Sequence, residues 1–440
     1  MKNWIKLILV GVAIIKFAAV SHAELPETPK LSITTNGPQV SLYWDEVSGA
    51  NNYTLIASNL NEGSFFGQFD VGANTQVSTS LPEGSGFFVS VRAENTDGSS
   101  NFSLPRLLVV PSVSRVVPSV EQVIQNYARN VVFNTYTDLA EQTKILRAAI
   151  IELQFDTTDK SLHQAQNAWR NARRPWEQSE AFLFGPVDTE GLDPALDSWP
   201  INGTDIQNVM NSDTPLTTET VSAFEPTLKG FHVIEYLLFG SDNSKTAAEL
   251  TTRELAYLIA ATNVLSNDVQ ALAKAWNPND GNFLSVFSQA GIGSTTYPSL
   301  AAALQEMVEG MIVIADEVGN GKLSKPLTER NVTLVESQFS SNSRSDFMNN
   351  IRGLKNVYTG NYLLSEGPGL NALVKSINPA LDDAINNQIE KAIAAIHTIP
   401  QPFTESIVSN AALAQDAIDE VKTLLSLLID QLLPLVPSVK

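Results

Sequence analysis

The apolar positions of this chain keep two different periods, and the change falls near residue 118. Upstream, Val40, Ser41, Leu42, Tyr43 and Trp44 largely alternate, and so does the run from Phe88 to Ala93. Side chains two apart on a strand share a face, so this alternation predicts half-buried strands. Ser48–Gly49, Asn51–Asn52, Glu83–Gly84 and Asp97–Gly98 punctuate the runs as turns. Residues 24–110 are therefore expected to form a small all-β, immunoglobulin-like sandwich.

After a Pro- and Ser-containing linker, residues 111–118, helical spacing takes over and runs to the end. It predicts helices at about 119–152, 160–184, 217–239, 246–275, 299–318, 344–358, 379–397 and 413–433. Pro175 and Pro226 fall inside two of these and should kink them. Residues 187–204 are rich in Gly, Pro and Asp and read as an ordered crossing loop, and residues 340–344 read as a second polar breaker. The expected architecture is multidomain: the β-sandwich, then an all-α domain, residues 119–440, of two helical bundles at about 119–320 and 321–440. The apolar stretch Leu424–Val436 is broken by Asp430, Gln431 and Pro434, so it predicts a core helix rather than a membrane anchor.

Composition narrows the chemistry. Hydrophobic residues make up 43% of the chain, enough for real cores. There is no cysteine, which excludes disulfides, zinc–thiolate sites, iron–sulfur clusters and thiol catalysis. With 47 Asp and Glu against 28 Lys and Arg, the net charge is −19; nucleic acid is a poor partner for such a surface and cations are a better one. Lys2, Lys6, the mostly apolar run Leu7–Val20 and Ser21–His22–Ala23 form a secretory signal pattern, so residues 1–23 are expected to be a signal peptide. Its removal takes three lysines from a net charge of −19, leaving −22, and leaves three histidines, His163, His232 and His397. The mature chain is then exported, soluble or peripherally attached to a membrane.

One stretch concentrates the candidate chemistry. Gly230, Phe231, His232, Val233, Ile234, Glu235, Tyr236, Leu237, Leu238 and Phe239 read as the last turns of an apolar, buried helix closed by Gly240. His232 and Glu235 are three apart and share a face. A buried carboxylate is costly unless it is paired, hydrogen-bonded or bound to metal. The pair can offer an imidazole nitrogen and a carboxylate oxygen to one ion, with Gly230 removing bulk beside them. The alternative is a buried histidine bonded to its own glutamate.

A second stretch runs from Trp169 through Arg173, Trp176, Glu177 and Glu180 to Pro186. Glu177 and Glu180 also share a face, and each raises the other's pKa unless a cation neutralises them. Arg173 stands four residues before Glu177, the spacing of a local ion pair. One reading is a structural Arg–Glu network. The other places Glu177 and Glu180 opposite His232 and Glu235, an oxygen- and nitrogen-rich set of the kind helix bundles use for iron or manganese. A third stretch, Asp346–Tyr358, offers Arg352 and Tyr358 to a cleft between the helical units. His163 and His397 read as structural or solvent-exposed, and no phosphate loop, HExxH motif or Ser/His/Asp signature is present.

Two resemblances follow from these residues. Val40–Trp44, Val47–Ala50, Tyr53, Leu81–Gly84 and Phe87–Asn95 resemble a fibronectin type III module, with Phe87 where that family usually has Tyr. Gly230, His232 and Glu235 match GxHxxE, the signature of the imelysin family. Trp169, Arg173, Trp176, Glu177, Ser179, Glu180, Ala181, Phe182, Phe184, Gly185 and Pro186 match a second imelysin block, and Asp346, Phe347, Asn350, Ile351, Arg352, Gly353, Val357 and Tyr358 resemble a later one. The likeness spans about 119–435. It implies two helical bundles with the signature near their interface, and an exported, iron-regulated protein of bacterial iron uptake at the periplasm or outer membrane.

Three functions compete. The first is a metal-binding protein of iron acquisition, with Glu177, Glu180, His232 and Glu235 as ligands for iron, zinc being the other candidate. Arg173 tunes the carboxylates, and other envelope iron-uptake components are the expected partners. The second is a metallopeptidase on the same cluster, with Glu177 or Glu235 as base. The third is a binding protein for a non-metal ligand, in which the cluster is structural.

Overall fold

The structure is a computed structural model and describes residues 25–60, 65–82, 84–111, 117–409 and 411–438. The expected signal peptide, residues 1–23, lies outside the described residues, as does most of the expected linker. The chain forms two compact units, residues 1–113 and 114–440.

The first unit is a β-sheet region. Strands β1 (Leu31–Asn36), β2 (Gln39–Trp44) and β5 (Gln76–Ser80) form one antiparallel sheet in the order β1-β2-β5. Strands β3 (Asn52–Asn59), β4 (Phe65–Gly72), β6 (Gly86–Asn95) and β7 (Gly98–Ser99) form the second in the order β4-β3-β6-β7, and β8 (Arg106–Val109) also pairs with β6. The alternation that marks β2 in the sequence puts Val40, Leu42 and Trp44 inward, where they share one buried cluster with Tyr53, Leu55, Val89 and Val91 of the second sheet. The Tyr53 hydroxyl accepts a hydrogen bond from the Val47 amide at 2.8 Å and closes the turn between β2 and β3.

The second unit is helical throughout. A single buried apolar cluster runs from Val120 to Val436 and includes residues on both sides of position 320. The helix over Val120–Asn126 starts at a capping box between Ser119 and Gln122, and the long helix Asp159–Ser179 starts at one between Thr158 and Ser161. Pro175 sits inside the latter without ending it. The helix expected over 217–239 is instead broken. Thr218–Ser222 and the 3₁₀ turn Pro226–Leu228 precede a separate helix, Gly230–Phe239. Pro226 cannot donate into a preceding turn, and Gly230 has φ of +80°, so His232 and Glu235 lie at the start of a helix and not in its last turns.

The helix Leu300–Asp316 does not stop near 318. It continues through a π-helical stretch, Glu317–Ser324, into Lys325–Glu329. The crossing loop at 187–204 contains a short helix, Leu192–Asp197. The C-terminal apolar stretch packs Leu424, Leu428, Leu432 and Val436 into the core. Among the described residues no helix is long and apolar enough to cross a membrane.

Candidate metal centre

Six segments converge on one buried group of charged side chains. The Asp159–Ser179 helix supplies Arg173 and Glu177, one turn apart on one face, and the 3₁₀ turn Glu180–Phe182 that continues it supplies Glu180. Asp197 ends the short Leu192–Asp197 helix. His232 and Glu235 come from the first turns of Gly230–Phe239. Lys322 comes from the π-helical stretch, and Glu336 from the loop between the 3₁₀ turn Val332–Leu334 and the helix Ser343–Thr359. That last helix adds Asp346 and Asn350.

Two glycines allow the convergence. A Cβ on Gly230 would strike the carbonyl oxygen of Leu196, the residue before Asp197, so the histidine helix can lie against the aspartate helix only with Gly at its start. A Cβ on Gly353 would strike the Gln178 carbonyl, and this backbone approach brings Asn350 to within 2.6 Å of Glu177 Oε2 and 2.9 Å of Glu180 Oε2, to both of which it donates.

His232 and Glu235 are not equivalent. His232 Nδ1 is 2.9 Å from Glu235 Oε2. The other oxygen of Glu235 accepts from the Ser340 amide at 2.8 Å and from its hydroxyl at 2.7 Å. Glu235 therefore holds the ring and faces away from the cluster. His232 Nε2 points at two other carboxylates, 3.2 Å from Asp197 Oδ1 and 3.8 Å from Glu336 Oε1. It is buried and has no hydrogen-bond partner in line. An imidazole lone pair aimed at two carboxylates is repulsive unless a proton or a metal ion lies between them. A carboxylate on the far ring nitrogen is the usual support of a metal-binding histidine.

The cations present are Arg173 and Lys322. Arg173 pairs with Glu177 and Asp197 and lies 3.1 Å from Glu336 and 3.7 Å from Asp346. Lys322 Nζ is 2.6 Å from Glu180 Oε2, 3.0 Å from Glu336 Oε2 and 3.5 Å from Glu177 Oε2. These two cations face five buried carboxyl groups, those of Glu177, Glu180, Asp197, Glu336 and Asp346.

Burial and charge sort these groups. Burial pushes the carboxyls of Glu177 and Glu180 well up, more than Arg173 and Lys322 pull them down. Burial likewise raises Asp346 to about 7. Burial also opposes the charge on Asp197, but Arg173 and His232 beside it hold its carboxyl far below the usual range. Glu336 is held down at about 2 against its burial by Lys322, His232 and Arg173. Burial opposes the imidazolium too, yet Asp197, Glu235 and Glu336 push His232 well above its ordinary value. The cluster thus holds exchangeable protons that a metal ion would displace.

Two overlapping ligand sets have donor atoms all within 4.8 Å of one another: Asp197, His232 and Glu336, and Glu177, Glu180, Asp197 and Glu336. Ligands about 2.0–2.2 Å from one ion stand about 3–4.4 Å apart, so both sets need only small adjustment. The borderline imidazole and hard carboxylates suit iron or zinc. A cavity of about 370 Å³ opens beside the cluster. It is lined by Glu180, Asp197, Trp199, Glu317, Lys322 and Glu336, among others. Neither Glu177 nor Glu235 reaches its wall.

Of the residues singled out in the sequence, Arg173, Glu177, Glu180, His232 and Glu235 are brought together, with Gly230 as their spacer. Arg352 and Tyr358 are not among them: Tyr358 is buried with its hydroxyl on Asp382 at 3.0 Å, and Arg352 points to Asn349. Asp197, Lys322, Glu336, Asp346 and Asn350 were missed. Asp197 lies in the stretch read as an ordered loop, whose order was itself a signal. Asp346 and Asn350 lie in the third block. Lys322 and Glu336 stand in no motif.

Comparison with known proteins agrees with these blocks. The family model described as imelysin matches residues 132–429. Iron-regulated protein A of Synechococcus elongatus is 33% identical over 293 residues, 66% of this chain and 78% of that protein. The crystal structure of a protein assigned as an iron-regulated protein A precursor from Parabacteroides distasonis superposes with a TM-score of 0.64 at 28% identity, covering 73% of this chain and 95% of that one. An imelysin-like protein from Psychrobacter arcticum shares the fold, with a TM-score of 0.61 at 16% identity over 74% of this chain and 97% of that one. With the family model spanning most of the helical unit, and the signature residues at the heart of its buried cluster, this chain belongs to the imelysin family.

Proposed function

We propose that this chain is an exported iron-binding protein of iron acquisition, and that Asp197, His232 and Glu336 hold the ion, with Glu177 and Glu180 as further oxygen donors. The ion is cargo. The observation that carries this reading is His232 Nε2, buried without a hydrogen-bond partner and turned toward two carboxylates by Glu235. The name of the Synechococcus relative, Iron-regulated protein A, favours iron over other cations. Zinc is the alternative ion.

The remaining parts of the reading fit around this site. Residues 1–23 direct export to the periplasm or to the outer membrane and cell surface, where other envelope iron-uptake components are the partners and contact with the membrane is peripheral. Residues 24–110 act as a fibronectin type III-like sandwich, a spacer or adhesion module, joined by residues 111–118 to helical bundles at about 119–320 and 321–440.

A second reading, a zinc peptidase, draws on the cavity of about 370 Å³ beside the same ligands. Its base would have to line that cavity, which favours Glu180 over Glu177 or Glu235.

The deciding experiment is elemental analysis and calorimetric titration of the wild-type chain beside an Asp197→Asn/His232→Ala double variant. Stoichiometric iron that the variant loses supports acquisition. Absence of site-dependent affinity for ferrous or ferric iron sinks it. Bound zinc, with peptide cleavage that a chelator abolishes, moves the assignment to the second reading.

A further inference from the structure

Lys322 occupies the place a second cation would want. Its ammonium touches Glu177, Glu180 and Glu336, three of the four members of the all-carboxylate ligand set. A metal ion held by those three carboxylates would take the position of the ammonium itself, and like charges so close in a buried site repel strongly. Arg173, the other cation, has no exposed atom surface and does not line the cavity, so it has no way out. Lys322 does line the cavity. A second anchor stands on the same wall: Glu317 Oε1 is 4.0 Å from Nζ, and its side chain is 46% exposed. Both residues lie on the π-helical turns Glu317–Ser324, a local geometry frequent at functional sites.

We propose that Lys322 is a tethered competitor for the metal: an ion enters the cluster by displacing the Lys322 ammonium from Glu177, Glu180 and Glu336 toward Glu317 at the cavity wall. The proposal rests on the metal-binding reading above. The ammonium keeps the carboxylates neutralised while no metal is bound, and so holds the cluster together at a cost in affinity. That cost sets a threshold below which the protein releases its cargo. It also selects ions whose charge exceeds that of an ammonium.

The test has two readouts, with anaerobic Fe(II) and, separately, Zn(II) as probes. The first compares ion affinity of wild-type protein and Lys322→Met, which keeps the stem and removes the charge. Tighter binding by the variant, about ten-fold or more, is expected. The second labels lysines of the wild-type protein with an amine-reactive ester and reads each site by mass spectrometry. Lys322 should be protected without metal and several-fold more reactive at saturating metal, while exposed Lys144 stays constant. This readout stands even where Lys322→Met fails to fold. Binding by the variant alone also supports the exchange. Unchanged or weaker affinity in the variant, or a Lys322 that stays protected in metal-saturated protein, overturns the exchange and leaves the metal reading standing. If neither protein binds either ion, both fall.

Discussion

His232 Nδ1 meets Glu235 Oε2 at 2.9 Å, so Glu235 holds the ring from behind, and in the proposed metal site the pair acts as a ligand and its support rather than as two ligands. The three-residue spacing puts them on one face of the helix, but the ring presents only one nitrogen to each side. Glu235 takes Nδ1, and Nε2 is left for Asp197 and Glu336.

Glu235→Gln should therefore weaken metal binding about 10–100-fold and leave stoichiometry unchanged, because the ring loses its fixed tautomer and orientation. Asp197→Asn removes a ligand and should cost more. Calorimetric titration of both variants with Fe(II) checks the order. Equal loss in the two would make Glu235 a direct ligand.

Gly230→Ala should destabilise the helical unit by about 2–3 kcal/mol or more. The new methyl group meets the Leu196 carbonyl, and φ of +80° is strained for alanine. The same clash displaces Asp197, so ion affinity should fall along with the urea midpoint. Wild-type stability in this variant would mean that the two helices separate freely.

Ion affinity should rise with pH. His232 must lose a proton to ligate, and its pKa lies well above the ordinary imidazole value; Glu177 and Glu180 hold protons likewise. Each proton released contributes up to about ten-fold in affinity per pH unit. Titrations in buffers of different ionisation enthalpy count these protons directly. A flat profile between about pH 5.5 and 8, within the range where an ordinary imidazole changes charge, would show that the ligands are already deprotonated.

In the presence of a chelator, Asp346→Asn should stabilise the protein more as pH rises. Asp346 goes from 3.8 in the unfolded chain to about 7 when folded. Its folded form therefore keeps a proton that the unfolded form has lost. That contribution is fully present below about 4 and is lost as pH rises through about 7. Asn mimics the protonated carboxyl at every pH. The stability difference should grow over this window to about 4 kcal/mol at most, at about 1.4 kcal/mol per unit. Urea unfolding at pH 4.5, near the lower end of the window, and at pH 8, above it, reads most of the change; a difference that does not change with pH would place the Asp346 proton elsewhere.

The change of period near residue 118 was enough to separate a strand region from a helical one, because side-chain periodicity is a local property of the backbone. The three spaced blocks identified the imelysin family for a related reason: each is a short continuous stretch whose residues stand together in the sequence. Arg173–Glu177 and His232–Glu235 were legible as same-face pairs.

What the sequence could not determine is who faces the pair from across the cluster. Asp197 ends a helix too short to show a repeating period, Glu336 sits in a loop, and Lys322 lies on π-helical turns that helical spacing does not anticipate. Their approach depends on backbone contacts at Gly230 and Gly353, between segments more than thirty residues apart. Only the packed chain decides such distances, and they turned Glu235 from an expected ligand into the support of His232 while bringing Asp197 and Glu336 in as the carboxylates that face it.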